Sequence, residues 1–128
     1  MSKTVTYQEV VDALHAAVAE RGADYVYQSP DVISGTCYNW HEKEDKPGCI
    51  VGWVLHHLGA TKEQMAGGGG PRYAVGAYST LDILKDQGWS FDEFDRIGAL
   101  LNEVQRQQDA LKPWGEAVQK GLEADDNR

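Results

Sequence analysis

The chain has 128 residues, of which 41% are hydrophobic and 25% are charged, a balance typical of one globular domain. Its 20 acidic and 12 basic residues give a net charge of −8. That sign disfavours nucleic acid as a partner, because such binding requires phosphates to be neutralised. No stretch approaches the roughly 20 apolar residues of a membrane-spanning helix, and the N-terminus begins an amphipathic helix instead of a secretion signal. We therefore expect a cytoplasmic protein with reduced cysteines and no membrane partner.

The first quarter of the chain predicts one amphipathic helix. Thr6 and Glu9 have the spacing of a capping box, apolar residues follow at helical spacing, and Gly22 is placed to end the helix. Residues 24–27 are aromatic and β-branched and predict a brief strand. A second short strand would make a small hairpin within residues 24–39.

A central helix is predicted where residues 49–58 read CIVGWVLHHL, a run that is apolar on nearly every face. A helix with this pattern is normally buried in the middle of a domain. One helical turn is predicted at residues 61–65, and the glycines of residues 67–70 then break regular structure.

Three further helices are predicted in the second half. Ser79 or Thr80 caps a short helix over residues 81–87, and the capping-box pattern of residues 90–93 opens the longest helix. The apolar stripe of that helix extends to Leu111, and Pro113 either breaks the helix or starts a further helix at its first position.

These elements predict a mainly α fold. We expect a compact bundle of four to six helices around the apolar helix of residues 49–58, with at most one short β-hairpin. Residues 1–122 are predicted to form a single domain, and residues 123–128 an acidic disordered tail.

One cluster of Cys and His residues invites a metal interpretation. Cys37, His41, Cys49 and His56 supply four ligands of the types that zinc accepts, but their spacing, C-x3-H-x7-C-x6-H, matches no standard zinc finger. A buried structural Cys49, with His56 and His57 at the favourable end of a helix, is the preferred interpretation. A Cys37–Cys49 disulfide is a second possibility, and a nucleophilic Cys49 with His41 as its base is a third.

The glycines of residues 67–70 do not predict a phosphate-binding loop, because no strand precedes them and no Lys-Ser/Thr pair follows. A surface loop is the favoured interpretation. Arg72 keeps a different function open, that of a sponge for a nucleotide-like signal molecule.

Aromatic residues suggest where a partner would bind. Trp53, Trp89 and Trp114 lie in or beside apolar patterns and are predicted to be core residues. Trp40 lies on a polar loop, where it would anchor a partner if exposed and cover the core if folded under. The predicted binding surface combines the loops at residues 38–47 and 66–78 and consists of Tyr38, Trp40, His41, Arg72, Tyr73 and Tyr78.

Residues 47–59, PGCIVGWVLHHLG, carry a resemblance. They resemble small uncharacterised helical proteins of actinobacteria and their phages, in which a Cys-(Leu/Ile)-Val-Gly core helix ends in a Leu-Gly pair. A later Pro-Trp-Gly-Glu-Ala segment of that group corresponds to residues 113–117. The resemblance implies an intracellular phage accessory protein, acting in the cytoplasm of a host cell.

The function we predict is that of a non-enzymatic protein-interaction module, which modulates or inhibits a host or phage protein without a cofactor. Two competing hypotheses are a metal-binding (zinc) or thiol-dependent protein that uses Cys37, His41 and Cys49, and the signal-molecule sponge. Assembly into a homo-oligomer is also open.

Overall fold

The computed structural model describes residues 3–27, 40–41, 46–66 and 77–127. Six helices dominate these residues, so the predicted mainly α fold is confirmed. Every one of these helices is too short or too polar to cross a membrane. The helices are α1 (Tyr7–Arg21), α2 (Ile50–His57), α3 (Lys62–Ala66), α4 (Ala77–Asp86), α5 (Phe94–Asp109) and α6 (Trp114–Asp126), and the strands are β1 (Lys3–Val5), β2 (Trp40–His41), β3 (Lys46–Pro47) and β4 (Trp89–Phe91).

Helix α1 begins and ends where its sequence predicts. The Thr6 hydroxyl accepts a hydrogen bond from the Glu9 backbone N–H, and the Glu9 carboxylate accepts one from the Thr6 N–H. This capping box satisfies two N–H groups that a helix start leaves without partners. Gly22 follows the last turn at φ +99°, a backbone conformation that favours glycine.

Helix α2 is the centre of the core, as its composition predicts. Its first six residues are buried, and it packs against α1 and α5. Cys49 precedes the helix and makes no side-chain cap. The cap comes instead from the buried Gln108 of α5, whose Oε1 accepts a hydrogen bond from the Ile50 N–H at 2.8 Å.

Helices α5 and α6 form the most extensive helix pair. Buried residues of α5 (Ile97, Leu100, Leu101, Val104) and α6 (Trp114, Ala117, Val118) form much of the core. Gly121 allows the close approach of the two helices, because a Cβ at this position would lie 2.4 Å from Val104 Cγ2.

The predicted helix start at residues 90–93 is wrong. Trp89–Phe91 forms β4 and pairs in parallel with β1, so that Val5 lies opposite Phe91. Both side chains are buried, and pairing of the two strands satisfies their backbone groups while it buries them. Helix α5 therefore begins three residues later than the capping pattern predicts, after Glu93 at φ +56°.

Residues 24–27 do not form the predicted strand. The Ala23 carbonyl instead accepts a hydrogen bond from the Gly115 N–H at 2.9 Å, and the Tyr25 carbonyl accepts one from the Trp114 N–H at 2.8 Å. The segment thereby caps the start of α6. The rest of the predicted 24–39 hairpin lies outside the described residues, and an antiparallel hairpin instead joins Trp40–His41 to Lys46–Pro47.

Two other helix boundaries differ from the predictions. Helix α4 starts at Ala77, so Ser79 and Thr80 lie inside it rather than at its cap. Leu111, which the helical stripe of α5 assigned to the core, follows the end of that helix at φ +66° and is 70% exposed. The chain reverses direction within the few residues between α5 and α6. Leu111 lies in this connection and therefore does not belong to the buried stripe.

The C-terminal residues also differ from the expected disordered tail. Helix α6 continues through Asp126. Asp125 is buried and bonded to side chains of α1 and α5, and these contacts hold the last turn of α6 in place.

Candidate functional site

Several residues that the sequence predicted as site residues lie outside the described part of the chain. These residues are Cys37, Tyr38, Arg72, Tyr73 and the side chain of His41. Their assignment to a binding surface or to a metal site stays a prediction.

The structure does not bring Cys49 and His56 together. Cys49 precedes the first turn of α2 and is completely buried, whereas His56 lies in the last turn and is exposed. At a rise of about 1.5 Å per residue, their Cα atoms lie about 10 Å apart along the helix axis. Among the described residues, no group of three Cys, His, Asp or Glu side chains is arranged to hold a metal ion.

Trp40 and His56, both predicted as site residues, do lie together. Their ring centroids are 6.1 Å apart, and Trp40 is partly buried against the core. Trp53 extends the group, with its ring centroid 6.0 Å from His56 and 6.1 Å from His57. We call these four residues, Trp40, Trp53, His56 and His57, the aromatic face.

A cation borders the aromatic face. The Arg21 guanidinium lies 4.3 Å from the ring centroid of Tyr25 and 5.7 Å from that of Trp53. This arrangement holds a positive charge against the two aromatic rings. Charges of both signs surround the aromatic face, because the exposed Glu20 and Asp24 flank Arg21 in the chain, and Lys62 and Glu63 lie side by side near Trp40 and His56.

Two polar atoms of the aromatic face have no hydrogen-bond acceptor within the described part of the chain. The indole nitrogens Nε1 of Trp40 and Trp53 are both buried without a partner there, and Trp53 as a whole is only 7% exposed. A buried donor without an acceptor costs about 1 to 3 kcal/mol. Gln105 Oε1 and Trp114 Nε1, which lie on α5 and α6 away from the aromatic face, are likewise buried without a partner in that part of the chain, so this feature is not confined to the aromatic face.

A cavity of about 460 Å³ opens beside the aromatic face. It is lined by Trp40, His56 and residues 59–63. The cavity is a shallow depression that is open to solvent, so it does not enclose a bound molecule.

Tyr78, the other described member of the predicted binding surface, packs on α5. It lies on α4, where it is 40% exposed, and its hydroxyl donates to the Asp95 carbonyl at 3.3 Å. A Cβ at Gly98 would lie 2.3 Å from its ring, so the ring packs directly on the backbone of α5. The described contacts of Tyr78 are therefore with α5, whereas Trp40 contacts His56 of α2, and the predicted combination of their two loops into one surface stays a prediction.

A second polar cluster joins three helices and was not predicted from the sequence. Tyr7 of α1 donates from its hydroxyl to Asp125 Oδ2 at 2.6 Å, and Arg96 of α5 donates from Nη2 to the same oxygen at 2.9 Å. The Arg96 guanidinium also lies 3.7 Å from the centroid of the Tyr7 ring. We call these three residues, Tyr7, Arg96 and Asp125, the clamp.

The electrostatics of the clamp are those of a tight structural contact. Burial of the hydroxyl, followed by its hydrogen bond to Asp125, raises the pKa of Tyr7 to about 12. The hydrogen bond to Asp125 also raises the pKa of Arg96. Because Tyr7 and Asp125 are far apart in the sequence, no local pattern signals their contact.

Trp53 is the member of the aromatic face that sequence reasoning missed, because the apolar pattern of α2 assigned it to the core alone. That assignment is confirmed by its burial, but one edge of its ring also meets both histidines. Trp53, His56 and His57 stand at positions i, i+3 and i+4, a spacing that places side chains next to one another on a helix and could have signalled this face.

Comparisons with known proteins give no match to this chain among family models, curated proteins or solved structures.

Proposed function

We propose that this protein is a non-enzymatic protein-interaction module and that the aromatic face is its binding surface. The observation that carries the proposal is the meeting of Trp40 and Trp53 with two exposed histidines at the end of the buried helix α2. Tryptophan is enriched among the residues that dominate binding energy at protein interfaces.

The rigidity of this face favours recognition. The six residues before His56 are buried in α2, so the histidines are held at the end of an element that cannot shift without disturbing the core. A surface with few internal motions loses little entropy on binding.

The environment of Cys49 favours a binding function over thiol chemistry. Its side chain is completely buried at the start of α2, where a substrate would have to open the core to reach the sulfur. Reactive cysteines are normally partly exposed.

The resemblance to actinobacterial and phage proteins extends the proposal to a biological setting. We propose that the partner is a host or phage protein inside an infected cell, whose activity is modulated by this chain. This setting rests on the resemblance of residues 47–59 and 113–117 and not on the geometry of the aromatic face.

The proposal is tested by capture of partners from infected or producing cells, followed by measurement of affinity for each purified partner. We expect the Trp40→Ala/His56→Ala variant to lose a partner that binds the original chain. The matched control is His15→Ala, which changes an exposed histidine elsewhere. A partner that is retained by the double variant, or lost equally by the control, would contradict the proposal.

A further inference from the structure

We draw no further inference here: the strongest candidate, the groove between α1 and α6 that is lined by Val18, Val118, Leu122 and Asp126, is open to solvent, and nothing in the structure shows what covers it.

Discussion

The clamp and the aromatic face are both groups of aromatic and polar side chains at helix ends, but they differ in how their polar atoms are satisfied. In the clamp, the carboxylate of Asp125 is 2% exposed and accepts hydrogen bonds from both Tyr7 and Arg96. In the aromatic face, the indole nitrogens of Trp40 and Trp53 are covered and have no acceptor in the ranges that the structure describes. The clamp lies where α1, α5 and α6 meet, and the face lies at the end of α2.

The difference separates stability from recognition. A polar group that finds its partners within the fold contributes to the stability of that fold. A buried donor without an acceptor costs stability, and a natural chain keeps such a group where another advantage outweighs the cost. Substitution in the clamp is therefore expected to lower stability, whereas substitution of the exposed residues of the aromatic face is expected to lower binding and to leave stability nearly unchanged.

The largest expected effect on stability comes from removal of the clamp carboxylate. Asp125→Ala should lower the free energy of unfolding by about 2 kcal/mol, because Tyr7 and Arg96 lose a shared, buried acceptor. The neighbouring Asp126→Ala is the matched control and should change it by less than about 0.5 kcal/mol, since that side chain is exposed. Urea unfolding measures both values, and equal losses would show that the clamp is not a stabilising contact.

A smaller loss is expected from Tyr7→Phe, which keeps the ring and removes the hydroxyl. We expect the free energy of unfolding to fall by about 1 kcal/mol, the contribution of one hydrogen bond, because Asp125 keeps its contacts with Arg96. Urea unfolding measures this value too, and a loss as large as that of Asp125→Ala would show that the two contacts of the carboxylate are not separable.

The ionisation of Tyr7 provides a second test of the clamp, with Tyr7→Phe as the control. The pKa of Tyr7 is raised to about 12 from 10.0, so the unfolded chain releases this proton at lower pH than the folded chain does. The stability that the protonated Tyr7 hydroxyl contributes to the fold is complete below pH 10 and is lost as the pH rises through 12. Ultraviolet titration of the original chain should show a late-titrating tyrosine component that is smaller by one residue in Tyr7→Phe. A late component of equal size in the variant would contradict the assignment.

The smallest expected effect on stability is at the aromatic face. His56→Ala/His57→Ala should change the free energy of unfolding by less than about 0.5 kcal/mol, because both side chains are exposed. The same variant should lose affinity for a captured partner. Thermal unfolding and the affinity for that partner, measured on one preparation, test both expectations. A large loss of stability with unchanged binding would reverse the comparison between the two regions.

The sequence determined much of the fold because its signals are local. The capping box of Thr6 and Glu9, the apolar run of α2 and the start of α6 after Pro113 each depend on residues within a few positions of one another. Hydrophobic spacing likewise identified Trp53, Trp89 and Trp114 as core residues, and all three are buried.

Tertiary structure decided the features that depend on distant residues. Residues 90–93 carry a valid capping pattern, but Trp89–Phe91 pairs with β1 because that pairing satisfies backbone groups and buries Phe91 beside Val5. Residues 24–27 have strand-forming side chains, yet the carbonyls in and beside them cap α6.

The same distinction holds for the candidate site. The sequence identified Trp40 and His56 as separate candidates. Only the fold brings their ring centroids to 6.1 Å from each other and places Trp53 beside His56 in the same aromatic face. The clamp, which joins Tyr7 to Asp125, has no signal in either local sequence. Local patterns thus determined which helices form, because helix formation depends on near neighbours. Packing determined which of their side chains meet, because those contacts depend on the whole chain being folded.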